Sequence, residues 1–69
     1  MKKSVTIFVP AYNEEKNLAR AVKRYNKIVK TITSDYEIII IDDASTDATG
    51  EIADNLAKVY KNVRVVHNK

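Results

Sequence analysis

The spacing of apolar residues shifts repeatedly along the chain, and each shift marks an element. Val5 to Pro10 is β-branched and apolar, which reads as a strand stopped where proline withdraws its N–H. The period then lengthens: Leu18, Ala21, Val22, Tyr25, Val29 and Ile32 recur at helical spacing, with Lys16, Arg20, Lys23, Lys27 and Lys30 on the other side. This predicts an amphipathic helix over 14–32, N-capped by Asn13, with Glu14 and Glu15 complementing the partial positive charge of its first turn. After the polar break Thr33-Ser34-Asp35, Tyr36 to Ile41 forms a second strand that ends in Asp42 and Asp43. Its isoleucines, Ile38 to Ile41, do not alternate with polar residues, the pattern of a parallel strand covered on both faces. Ser45 or Thr46 suits the cap of a second helix with buried stripe Ile52, Ala53, Leu56, Val59 and Tyr60, closed by Asn62 in the left-handed conformation. Val63 to His67 is the third strand.

The order β-α-β-α-β specifies an α/β fold, a three-stranded parallel sheet with two helices on right-handed crossovers. If both crossovers move the same way, both helices cover one face. The other face then keeps two isoleucines together with either Val5, Ile7 and Val9 or Phe8. Two strand edges also stay open. Sixty-nine residues allow one domain, and a domain of this size hides only about 60% of the surface its unfolded chain exposes. No cysteine offers a disulfide staple. The expectation is a single partial domain over 1–69 that continues further or forms a homo-oligomer through the uncovered face or an edge strand.

With 45% apolar and 30% charged residues the chain is not a disordered tail. Its longest apolar run falls far short of the roughly 18 residues of a membrane span. The basic start Met1-Lys2-Lys3 is followed by an apolar stretch that ends at Pro10 without a small-residue cleavage site. That argues against a signal peptide and for a cytoplasmic setting. A net charge of +3 and five scattered aromatics argue against nucleic acid as a partner. The basic face of the first helix reads as solvated surface.

Residue types that carry chemistry gather after the first two strands: Pro10, Ala11, Tyr12, Asn13 and Glu14, then Asp42, Asp43, Ser45 and Asp47. Ligands of open α/β sheets bind at such strand ends. Paired carboxylates there suit a metal or the N–H edge of a base. The same residues also build turns and cap helices, and types and spacing leave both readings open. The single glycine, Gly50, falls inside the second helix, so no Gly-rich phosphate loop can be drawn. His67 has no second histidine at metal spacing and reads as plain surface.

The run Val5-Thr-Ile-Phe-Val-Pro-Ala-Tyr-Asn-Glu14, followed by Tyr36-Glu-Ile-Ile-Ile-Ile-Asp-Asp-Ala-Ser-Thr-Asp-Ala-Thr49, resembles the opening of a family 2 glycosyltransferase. The likeness is nearest to the dolichyl-phosphate mannosyltransferase and polyprenyl-phosphate glucosyltransferase branch. It covers nearly the whole chain and implies the Rossmann-like N-terminal part of a GT-A fold, which holds the nucleotide of a UDP- or GDP-sugar donor. By the resemblance, Pro10, Tyr12 and Glu14 flank base and ribose, and Asp43 accepts the imide N–H of the base. Ile41 adds a main-chain or packing contact, and Asp42, pointing oppositely, is structural.

The resemblance further implies an Asp-x-Asp motif binding Mg or Mn through the diphosphate, and an acceptor-side base, both beyond Lys69. No catalytic residue or metal ligand is therefore expected within this chain, and no sugar transfer by it alone. A full-length parent would use Mg or Mn, pass sugar to a lipid phosphate or glycan, and supply whatever contact is made with the inner membrane surface. The competing reading is a non-catalytic dimerisation or regulatory module on the same scaffold. A phosphoacceptor domain of the receiver kind is set aside, because there the acidic pair follows the first strand.

Overall fold

The computed structural model describes residues 4–68. Met1-Lys2-Lys3, which bears on the signal-peptide reading, and Lys69 lie outside the described residues. The elements are β1 (Ser4–Ala11), α1 (Leu18–Val29), β2 (Asp35–Asp43), α2 (Thr49–Val59) and β3 (Val63–Asn68). All strands pair in parallel in the order β1-β2-β3, an open Rossmann-like α/β sheet. Both crossovers advance in one direction, so the two helices share one face. Between them and the sheet lies a core of Val9, Ala11, Ile38, Ile40 and Val63 against Leu18, Val22, Ala53 and Leu56. Tyr36 joins β2 to α1 by donating its hydroxyl to Asn26 Oδ1 at 2.6 Å.

The pleat sends alternate residues to the uncovered face, where register rows run Phe8, Ile39, Arg64 and then Pro10, Ile41, Val66. Phe8 is 62% exposed there, and Arg64 donates from Nε to Glu37 at 3.2 Å. Of the two arrangements foreseen, the structure takes the one that leaves Phe8 outside. Strand β1 runs through Pro10 to Ala11; it is an edge strand, where a missing N–H is tolerated.

Helix positions differ at several residues. Helix α1 starts at Leu18 rather than residue 14, because Asn13 has φ 52° and Glu14–Asn17 forms a turn in which Glu14 O accepts the Asn17 and Leu18 N–H groups. Asn13 is therefore not the N-cap, and the first turn of α1 carries no acidic residue. Tyr25 and Ile32, expected in the core stripe, are 40% and 60% exposed; Val59 of α2 is 74% exposed. At the opposite end of α2, Thr49, which the apolar stripe does not include, is wholly buried. Ser45 and Thr46 do not cap α2, whose N-cap position is Ala48. Asn62 is not left-handed; its carbonyl accepts the Ile38 N–H at 2.8 Å.

Candidate functional site

Beyond the carboxyl ends of β1 and β2 lie two loops, residues 12–17 and 44–48, and each supplies the other's missing hydrogen bonds. Successive N–H groups of the first loop donate across: Asn13 to Ser45 Oγ (3.1 Å), Glu14 to Thr49 Oγ1 (2.7 Å) and Glu15 to Asp47 Oδ2 (3.4 Å). In return Asn13 Oδ1 accepts the Thr46 N–H at 2.9 Å and the Thr46 hydroxyl at 3.3 Å. The buried Thr49 hydroxyl donates to Asp47 Oδ1, which also takes the Thr49 N–H at 2.9 Å. That bond holds the Asp47 carboxyl below its usual range. Asn13 and Ala44 both occupy the left-handed region (φ 52° and 56°), which costs about 1 kcal/mol for a residue with a Cβ and which these cross-bonds offset.

Asp42 anchors the second loop from beneath. It is 7% exposed; its Oδ1 accepts the Ser45 N–H at 3.2 Å and its Oδ2 meets His67 Nδ1 at 2.9 Å. His67 Nε2 meets Asp54 Oδ1 of α2 at 2.8 Å. The bonds from Ser45 and His67 lower the Asp42 pKa; those to Asp54 and Asp42 raise that of His67 above its ordinary 6.5. Only the imidazolium can donate from both ring nitrogens. His67 is thus not plain surface but a bridge from β3 to β2 and α2. The signal that reveals it is register: Asp42 and His67 are paired neighbours at the same depth of the sheet.

Gly50 completes the arrangement, since a Cβ there would stand 2.7 Å from Asp42 Oδ2 and 3.5 Å from the His67 ring. Its value lies in this close approach rather than in any phosphate loop.

The residues named for nucleotide contact are distributed around this frame. Pro10 and Ile41 are register neighbours on the uncovered face, and Asp43 follows two positions along that face. Pro10 and Glu14 also line a groove of about 140 Å³ beside β1, together with Val9, Asn17, Leu18 and Tyr25. Tyr12, Ile41 and Asp43 lie outside that groove. Tyr12 is 59% exposed, and Glu14 and Asp43 are exposed. Among the described residues the side chains of Tyr12, Glu14 and Asp43 have no hydrogen-bond or ion-pair partner. Also among the described residues, no three His, Cys, Asp or Glu side chains converge as a metal site requires, and no helix is long and apolar enough to cross a membrane.

The family model for glycosyl transferase family 2 matches residues 6–69. The chain is 36% identical over 67 residues to an undecaprenyl-phosphate 4-deoxy-4-formamido-L-arabinose transferase of Pseudomonas fluorescens, covering 94% of this chain and 20% of that protein. It is 37% identical over 60 residues to the protein of the same name from Photorhabdus laumondii, covering 87% of this chain and 18% of that one. It is 38% identical over all 69 residues to the glycosyltransferase GlyG of Streptococcus pneumoniae, 22% of that protein. The chain thus spans about a fifth of the length of the curated relatives it matches. With a match over nearly every residue, and an open parallel sheet whose first two strands end in mutually braced polar loops, the chain belongs to glycosyl transferase family 2.

Proposed function

We propose that the rim formed by the ends of β1 and β2 binds the nucleotide of a UDP- or GDP-sugar. The observation that carries this reading is a division of labour among neighbouring polar groups. Asp42, Ser45, Asp47 and Thr49 are consumed in bracing the loops, whereas Tyr12, Glu14 and Asp43 present unpartnered side chains at the same rim. An ionised carboxylate only accepts hydrogen bonds, so Asp43 selects a base edge that offers N–H. Pro10, Tyr12 and Glu14 flank base and ribose, and Ile41 adds a main-chain or packing contact.

In the complete protein the sugar passes to a lipid phosphate or glycan, a reading supported by relatives whose names specify undecaprenyl phosphate. A departing diphosphate needs its charge offset, ordinarily by Mg or Mn. The described carboxylates do not converge on such an ion and Asp42 is occupied, so no metal-dependent step is assigned to them. On this reading the 69 residues hold donor without turning it over. Calorimetric titration with UDP, GDP and their sugars, with and without Mn, tests the reading: binding without sugar release is expected. No binding of any nucleotide at millimolar concentration would overturn it. That result would favour the dimerisation module, for which the exposed Phe8 on the uncovered face speaks.

A further inference from the structure

Charge is unevenly placed in this chain. Residues 16–34 hold Lys16, Arg20, Lys23, Arg24, Lys27 and Lys30 and no acidic residue, leaving the rest with six cations against all nine acids. The six surround α1, every one is exposed, and among the described residues none forms an ion pair with a carboxylate. A merely solvated face would ordinarily intersperse both signs. Beside these cations stand apolar side chains that the core does not use: Ile28 is 52% exposed, Ile32 60% and Tyr25 40%. Arg20, Arg24 and Ile28 follow one another at four-residue spacing, so cations and apolar groups share a flank of the helix.

We infer that α1 lies flat on an anionic lipid surface, its lysines and arginines among the headgroups and Ile28 and Ile32 at the acyl boundary. Unpaired cations next to exposed isoleucines suit such a boundary, where both kinds of group are stabilised. A phosphodiester backbone would use the charges and leave the isoleucines in water. Helix α1 begins directly after the loop bearing Tyr12 and Glu14, so attachment along it keeps the strand-end rim near the membrane. Contact by this chain's own residues goes beyond the expectation that only a longer parent supplies it.

Sedimentation with phosphatidylcholine vesicles, with and without a minority of phosphatidylglycerol, tests this in the absence of nucleotide and so independently of the rim's proposed role. The chain should pellet only with the anionic vesicles. It should be largely released in about 1 M salt, where the screening length falls to about 3 Å. Arg20→Gln with Arg24→Gln should weaken binding about 25-fold, at about five-fold per cation near the surface. Ile28→Ser with Ile32→Ser should weaken it by about ten-fold. Both pairs are exposed, and an unchanged melting temperature confirms that the fold is intact. Absence of pelleting, equal binding to neutral vesicles, indifference to either double variant, or tighter retention by duplex DNA than by anionic vesicles would overturn the inference.

Discussion

Asp42 and Asp43 are adjacent in sequence, yet the pleat of β2 sends Asp42 under the helices and Asp43 to the open face. Their substitutions should separate accordingly. Asp43→Ala should weaken nucleotide binding by about 1.5–3 kcal/mol, the range for a hydrogen bond to a charged group, and leave the melting temperature nearly unchanged. Asp42→Ala should instead destabilise the fold by about 1–3 kcal/mol, because the Ser45 N–H and His67 lose a buried partner. Paired calorimetry and thermal melts check both, and equal affinity losses at unchanged stability would contradict the assignment. His67 adds a pH dependence. Its folded pKa is raised by Asp54 and Asp42, so its stabilising contribution is full below about pH 6.5 and is lost as pH rises through the raised value. Asp42 is shifted down, so its contribution is present above about pH 3.8 and disappears as pH falls through its folded value. Thermal melts should therefore decline as pH rises from about 6.5 through the raised His67 value, and His67→Gln should flatten that limb. An unaltered limb in the variant would show that the bridge does not contribute.

At the scale of elements, the strands were legible in the sequence to within a residue or two, because runs such as Ile38–Ile41 admit little else. Helix boundaries were less so. The N–H groups of 13–15 are capped by Ser45, Thr49 and Asp47, residues 32 to 35 positions away, and no local capping rule foresees partners that topology brings in. For the same reason Asp42, Ser45 and Asp47 could be read as turn builders or as ligands until their bonds were seen. Gly50 shows how far context overrides propensity. In an isolated helix Gly→Ala gains about 1 kcal/mol, but here the added Cβ meets a braced, buried carboxylate at 2.7 Å. Gly50→Ala should thus cost about 1–3 kcal/mol in a denaturant titration; a stabilised variant would mean that Asp42 moves aside freely.

For the whole molecule, the same-direction crossovers that place both helices on one face also leave Phe8, Ile41 and Val66 on the other, beside two open strand edges. Sedimentation velocity should reveal concentration-dependent self-association, and Phe8→Glu should shift it toward monomer. A compact monomer at every concentration, with high thermal stability, would contradict this. The architecture itself could be deduced from the order of elements, but the burial of Thr49, the exposure of Val59 and the bridge through His67 arise from packing that periodicity does not encode. In the reading proposed above, one sheet end both braces itself and leaves Tyr12, Glu14 and Asp43 free for a nucleotide. Amide chemical shifts of the labelled chain during titration with UDP and GDP test it most directly. Saturable shifts concentrated in residues 11–14 and 41–45 are predicted, lost in Asp43→Ala. Shifts absent at millimolar nucleotide, or centred on the basic face of α1, would contradict it.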